Sequence, residues 1–227
     1  MKHVAVALAL GLICGAVLPA HAAADRWIEG THYTVLDPAQ PTTVPKGKVE
    51  VMEVFSYACP ACDGFQPVIH QLERSLPKKA QMVFLPASFI PSEDWPMFQR
   101  AYFAAQSLGI AERTHQAMFD AVWKTGQLAT VEPGTNRLRQ PAPSIEDAAR
   151  YYAQLTGISP QTFLAAARSF GVETRMRAAD QQIMAMQVPG TPCIIVDGKY
   201  RVLMDSMRSP DDVISVVKYL IAKASSH

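Results

Sequence analysis

The sequence predicts an α/β protein, a β-sheet domain built from both ends of the chain and interrupted by a helical insert. Three observations carry this expectation. Between residues 49 and 85, a buried-strand pattern, an amphipathic-helix pattern and a second strand pattern follow one another. From residue 95 to 186, five segments have helical spacing and none reads as a strand. Two apolar runs then flank Asp197-Gly198-Lys199, and a last amphipathic helix follows.

Residues 1–22 read as a secretory leader: Lys2 and His3 give a polar start, an apolar stretch follows, and Ala20-His21-Ala22 fits a small-x-small cleavage site near Ala22. The apolar stretch is too short for a membrane span, and no later run approaches spanning length. Without the leader, 205 residues remain, enough for one large or two small domains. Lys2 is the leader's one charge among 21 basic residues, so the remainder balances 20 basic against 20 acidic side chains. That balance argues against nucleic acid as a partner. Export implies an oxidising compartment.

Residues 33–36 predict a short edge strand, ended by Pro38 and Pro41. VEVMEVFSY, residues 49–57, is rich in β-branched and aromatic residues and predicts a buried strand. Pro60 opens a helix, where its missing N–H costs nothing. Phe65, Val68, Ile69 and Leu72 continue it at helical spacing. Residues 82–85 predict a second strand, parallel to the first because strand–helix–strand crossovers are right-handed. Helices are expected over 95–108, 111–123, 145–155, 161–169 and 173–186, with a long loop at 129–143. Asp197-Gly198 between apolar runs predicts a hairpin. Ser209-Pro210 opens the last helix, with Val213, Ile214, Val217 and Leu220 on one face. The expected division is a discontinuous sheet domain, 23–91 and 188–227, around an insert at 92–187.

The chemistry centres on FSYACPACDGF, residues 55–65, which spaces Cys59 and Cys62 as C-x-x-C. A structural staple is a poor reading, since closing so short a loop yields only about 2 kcal/mol. A zinc clamp needs four ligands, and there is no second pair or matching histidine spacing. A redox couple gains from position. Cys59 falls where a strand ends and a helix begins, so backbone N–H groups and the helix dipole favour its thiolate. Cys62, one turn on, lies on the same face. Cys59 is expected to be the exposed nucleophile and Cys62 the buried resolving thiol. Neither metal nor cofactor is called for.

Two further features bear on the pair. Glu53 lies six residues before Cys59, and period two sets it with Val49, Val51 and Phe55. A carboxylate there is costly unless it has a partner or a task. It is either a proton acceptor for Cys62, with a pKa raised by desolvation, or a residue at a strand end bent to solvent or paired with lysine. The first reading is favoured. Glu50 points the other way and reads as a surface or lysine-paired residue. The second feature is VPGTPCIIVDGKY, residues 188–200. A cis Thr191–Pro192 bond would let the Thr191 N–H and C=O face the cysteines and pair with an extended substrate; a plain loop is the alternative.

A strand carrying Glu53, then CPAC, then a helix, resembles the thioredoxin fold. With the helical insert, Gly190-Thr191-Pro192 and the VDGKY hairpin, the whole mature chain resembles the DsbA family of bacterial periplasmic dithiol oxidases. The resemblance implies an α/β thioredoxin fold with an inserted α-helical domain. It implies a thiol:disulfide oxidoreductase that passes the Cys59–Cys62 disulfide to reduced, newly exported proteins. It also implies reoxidation by a DsbB-type quinone-linked membrane partner, and a monomer. By this carry-over Cys59 is the attacking and attacked sulfur, Cys62 resolves the mixed disulfide, Glu53 is the buried acid, and Pro192 is the cis-proline, with Thr191 and Pro192 meeting substrate.

Three departures stand out. Ala61 occupies a position where the family's best-known active site has histidine, which predicts a weaker oxidant. The 129–143 loop is longer than the usual connection. Cys193, directly after Pro192, reads as a small buried hydrophobe at a strand start rather than a third working thiol. Met176, Met184 and Met186 are expected in the insert core, His70 and His115 as solvated helix residues, and Trp95, Phe119 and Trp123 as packing. A reductase or isomerase, and a non-catalytic binding or chaperone module, are the competing functions.

Overall fold

The computed structural model describes residues 26–132, 134–135 and 137–225; the expected leader at 1–22 lies outside them. The described chain runs β1 (Tyr33–Val35), β2 (Val49–Phe55), α1 (Pro60–Ser75), β3 (Ala80–Pro86), α2 (Trp95–Ser107), α3 (Ala111–Trp123), α4 (Ile145–Thr156), α5 (Pro160–Ala167), α6 (Phe170–Ala185), β4 (Cys193–Val196), β5 (Tyr200–Val202) and α7 (Pro210–Ala224).

The strands form one sheet in the order β1-β5-β4-β2-β3. β2 pairs parallel with β3 and antiparallel with β4, so it lies inside the sheet. Its VEVMEVF composition suits that place: β-branched and aromatic side chains pack well on a doubly covered strand, and all seven positions are buried. Two apolar clusters result. One joins Met52, Val54, Cys193 and Ile195 to side chains of α2–α6. The other joins Val49, Val51, Ile194 and Val196 to α1 and α7. Helix α7 alone buries Val213, Ile214, Val216, Val217, Leu220 and Ile221. Each such side chain is worth about 1.5–3 kcal/mol of transfer free energy as an upper estimate.

Local signals fix the boundaries. Helices α4, α5, α6 and α7 begin at Ser144, Ser159, Ser169 and Ser209, whose hydroxyls accept the N–H three residues on. At α4 the Asp147 carboxylate returns the bond to the Ser144 N–H at 2.8 Å, completing a capping box. The β4–β5 turn holds Asp197 and Gly198 at φ 54° and 60°. A Cβ at Gly198 would sit 2.1 Å from the Gln40 carbonyl oxygen, so glycine is required there twice over.

Several expectations need correction. Glu50 is neither exposed nor lysine-paired. Because β2 is covered on both faces, its side chain is buried, and its Oε2 accepts from the Thr43 N–H and hydroxyl at 2.7 Å each. Met176 and Met186 are core residues, but Met184 is 70% exposed, since it falls on the outer face of the last turn of α6. The 129–143 loop is less irregular than its composition suggests. Val131 and Leu138 form an antiparallel bridge, Arg137 pairs with Glu132 at 2.6 Å, and Arg139 donates to the Gly126 carbonyl.

Candidate functional site

β2 runs into α1 through Ser56, Tyr57, Ala58 and Cys59. The link is a closed turn: the Cys59 N–H bonds the Ser56 carbonyl at 3.1 Å, and the Ala58 N–H bonds the Ser56 hydroxyl at 3.2 Å. Cys59 is then the N-cap of α1, with extended φ −88° and ψ 114°, and Pro60 occupies the first turn. Its Sγ accepts from the Cys62 N–H at 3.2 Å, the place a serine or aspartate oxygen takes in an ordinary cap.

The two sulfurs differ sharply in acidity. Cys59 is lowered from 9.0 to about 6. The largest cause is the hydrogen bond from the Cys62 thiol; Thr191 and the N–H groups of Cys62 and Ala61 add to it, against a burial that alone would raise it. Cys62 is wholly buried and its thiol is pushed far up, first by desolvation and then by Cys59, with Glu53 adding. A thiol kept protonated beside a thiolate is the arrangement that stabilises the first sulfur's charge.

Glu53 is fully buried, and neither carboxylate oxygen has a hydrogen-bond partner. Burial raises its pKa well above the usual carboxylate range, with Cys59 and Glu73 adding to the shift. The Thr191–Pro192 bond is cis, and the Thr191 carbonyl oxygen lies 3.5 Å from Cys59 Sγ. Cys59, Cys62, Glu53, Thr191 and Pro192 thus converge on one end of the sheet, because β2 ends there and β4, antiparallel to it, begins there. The expectation of an exposed Cys59 is corrected: the residue is 4% exposed, sheltered by the turn beneath it and by the Thr191 carbonyl.

Four side chains near the pair were not read as site residues in the sequence. Gln66 is buried on α1 and donates to the Cys62 carbonyl at 3.2 Å; its spacing of four from Cys62 was the available signal. Tyr57 is buried among Phe55, Phe98, Tyr102 and Phe119. Its hydroxyl and His115 Nδ1 are hydrogen-bonded at 3.0 Å. Trp123 does more than pack: its indole N–H donates to the Tyr57 carbonyl at 2.8 Å. His115 is buried rather than solvated. It shares the spacing i, i+3, i+4, i+7 with Met118, Phe119 and Val122, which marks the covered face of α3. Burial, with His70 adding, lowers its pKa to about 3, so the imidazole is neutral. His70 itself is half-buried.

Other features lie away from the thiols. A cavity of about 860 Å³ follows the outer edge of β3, lined by Met82, Phe84, Tyr102 and Glu112 among others, and includes neither cysteine. Cys193 is buried, and burial raises its thiol to about 12. Among the described residues, no cluster of three or more histidine, cysteine, aspartate or glutamate side chains could hold a metal, and no helix is long and apolar enough to cross a membrane.

Comparison with known proteins agrees with this geometry. The DSBA-like thioredoxin domain matches residues 50–213. The thiol:disulfide interchange protein DsbA of Pseudomonas aeruginosa is 32% identical over 202 residues, covering 89% of this chain and 88% of its own. That of Azotobacter vinelandii is 32% identical over 95% of this chain and 98% of its own. The crystal structure of the oxidoreductase DsbA from Xylella fastidiosa superposes with a TM-score of 0.74 at 30% identity, covering 86% of this chain and 96% of that one. Matched by the family domain over residues 50–213 and by DsbA relatives over most of its length, the chain belongs to the DsbA family of thiol:disulfide oxidoreductases.

Proposed function

We propose that the Cys59–Cys62 disulfide is the group transferred, and that Cys59 is the sulfur through which it passes to reduced, newly exported proteins. The observation that carries this reading is the placement of Cys59 Sγ on the N–H groups of α1, with its acidity at about 6.

The exchange runs in two displacements. A client thiolate attacks Cys59 Sγ; the new S–S bond forms as the Cys59–Cys62 bond breaks, and the electron pair leaves on Cys62. Cys62 is a poor leaving group because burial makes its thiolate strongly basic. A proton must therefore reach it, and the protonated Glu53 is the donor beneath it. A second client thiolate then attacks the client sulfur of the mixed disulfide, and Cys59 leaves as a stabilised thiolate. The client loses two electrons, its two thiol protons having gone to solvent when the attacking thiolates formed; the enzyme is left reduced, with Cys59 as thiolate and Cys62 as thiol, and Glu53 recovers its proton from solvent. In the reverse sense Cys62 attacks the mixed disulfide and Glu53 accepts its proton.

The Thr191 backbone beside Cys59 gives an extended client segment an edge to pair with, which orients its sulfur in line. The buried position of Cys59 favours such a flat, extended approach over attack by a folded surface. We assign residues 92–187 as a helical insert within a thioredoxin-like domain of 23–91 and 188–227. Residues 1–22 are assigned as an export leader to the periplasm. There a quinone-linked membrane oxidase of the DsbB type is the partner that would take the two electrons back.

Ala61 offers no cationic donor to the thiolate, which keeps a reductase or isomerase role in view as the second reading. Equilibration with glutathione, with Cys59 titrated by thiolate absorbance, separates the two. An oxidant has a potential well above the thioredoxin range. A couple that resists glutathione as structural bridges do would reject the donor role.

A further inference from the structure

We propose that helix α3 of the insert is part of the redox centre: Trp123 and His115 act as positioning residues that clamp Tyr57 and so hold the Cys59 sulfur on the N–H groups of α1. The inference rests on the reading of Cys59 as the working thiolate.

Tyr57 stands two residues before Cys59 and is gripped at both ends. Trp123 Nε1 donates to its backbone carbonyl at 2.8 Å, and His115 Nδ1 is bonded to its hydroxyl at 3.0 Å. Both partners come from α3, two turns apart, whereas Tyr57 belongs to the β2–α1 link. Its ring is wedged among four aromatic side chains, so it has little freedom to slide between the two bonds. Without Trp123 the Tyr57 carbonyl would lose this partner, and a carbonyl left unpaired away from water is costly.

A fixed Tyr57 also fixes the start of α1. The Ser56–Cys59 turn closes on the next two residues, and Cys59 takes its φ and ψ from that turn. Only in this setting does the Cys62 N–H meet Sγ at 3.2 Å. A charged sulfur gains much more from aligned N–H donors than a bridged, neutral sulfur does. Loosening the clamp therefore disfavours the thiolate more than the disulfide. The equilibrium then moves toward the bridged form, and the protein becomes a weaker oxidant. The imidazole stays neutral throughout the range in which Cys59 titrates, so the clamp itself does not switch there.

The test uses the full-length mature protein with Trp123→Phe, which keeps an aromatic ring and removes the bond to the Tyr57 carbonyl, and Tyr57→Phe, which keeps the ring and removes the bond to His115. Three quantities are measured for each: the Cys59 titration, the equilibrium with glutathione, and thermal unfolding. Trp123→Phe is expected to raise the Cys59 pKa and shift the glutathione equilibrium toward the bridged form by about threefold to tenfold, the span of one net hydrogen bond. At about 30 mV per tenfold this is roughly 15–30 mV. Tyr57→Phe should move both quantities the same way by less, and His115→Gln should restore more of the wild-type equilibrium than His115→Phe. Folded variants with a lower melting temperature but an unchanged potential and Cys59 titration would overturn the clamp and leave only a packing role. If Trp123→Phe does not fold, Tyr57→Phe decides by the same criteria. A wild-type Cys59 that titrates as an ordinary thiol refutes the underlying reading instead, an outcome distinct from unchanged variants of an acidic wild type.

Discussion

Cys59 and Cys193 begin neighbouring elements at the same end of the sheet, and both are nearly inaccessible, at 4% and 2% exposure. Yet Cys59 is lowered to about 6 and Cys193 raised to about 12. Desolvation pushes both thiols up, so burial does not distinguish them. The difference lies in what meets the sulfur. Cys59 caps a helix and receives N–H groups and a thiol proton; Cys193 opens a strand, packs in the cluster beneath the insert, and has only the charge of Arg201 against its burial. A buried thiol is inert by default, and here the Cys62 thiol, with Thr191 and the N–H groups of a helix end adding, reverses that default.

The largest test of this contrast is removal of the acidic thiol. Cys59→Ala should abolish disulfide transfer to a reduced client, measured as client oxidation by stoichiometric protein first treated with oxidised glutathione. Retained transfer through Cys62 or Cys193 would break the comparison outright. The same thiol links redox state to stability. Its folded pKa lies below the unfolded value of 9.0, so the stabilisation of the dithiol form is fully present above that value and is lost as pH falls through about 6. The unfolding free energy of reduced protein, relative to bridged protein, should therefore decline between pH 9 and pH 6. A flat difference would mean that the cap does not favour charge.

Next in size is the acid beneath the pair. Glu53→Gln is expected to slow the exchange in which Cys62 leaves or attacks, formation of the mixed disulfide from bridged enzyme and its reversal, by about tenfold or more, with displacement of Cys59 by a second client thiol affected far less. Stopped-flow kinetics with a single-thiol peptide follows the first exchange and a two-thiol peptide both, and equal slowing of the Cys62 and Cys59 displacements would remove Glu53 from proton transfer. The substitution also has a stability signature. The folded pKa of Glu53 is raised, so above the ordinary carboxylate value of 4.5 the folded state holds a proton that the unfolded state has released. Wild type should lose stability relative to Glu53→Gln by about 1.4 kcal/mol per pH unit from there up to the folded pKa, then level off. Denaturant titrations over a pH series read this directly.

The pattern of residues carried most of the fold. Period two over 49–55, helical spacing after Pro60 and the Asp197-Gly198 turn mark strands, crossover and hairpin at nearly the observed positions, because each is a local signal. Glu53 was legible for the same reason: strand alternation alone puts a carboxylate on a covered face. What escaped was set by packing between distant segments. Nothing local to Glu50 shows that both faces of β2 are covered, and nothing near Tyr57 announces a tryptophan 66 residues away. His115 is the exception: its spacing with Met118, Phe119 and Val122 is a local mark of a buried stripe. The depth of Cys59 was likewise not legible, because its cover comes from Thr191, 132 residues on.

Smaller effects test how finely the helix end is tuned. Ala61→His should make the couple more oxidising by about threefold to tenfold in the glutathione equilibrium, since a cationic side chain beside the cap favours the thiolate over the bridge. An unchanged potential would mean that the dipeptide between the cysteines does not set the poise here.

The smallest expected change is at Cys193, and it tests the other half of the contrast. Cys193 pairs in register with Val54 and packs on the insert side of the sheet, whereas Glu53, one residue earlier on β2, pairs with Ile194 and faces the opposite way. Cys193 thus shares an apolar cluster with Cys59 and Cys62 and adjoins Pro192 in the chain, but it faces away from Glu53, the proposed proton donor. Cys193→Ala removes one buried sulfur and should lower stability by about 1 kcal/mol, as small core truncations do. The glutathione equilibrium and the rate of client oxidation should stay within about twofold of wild type. A larger change, or a trapped mixed disulfide that disappears in the variant, would show that the strand-start thiol takes part in exchange and that burial had not silenced it.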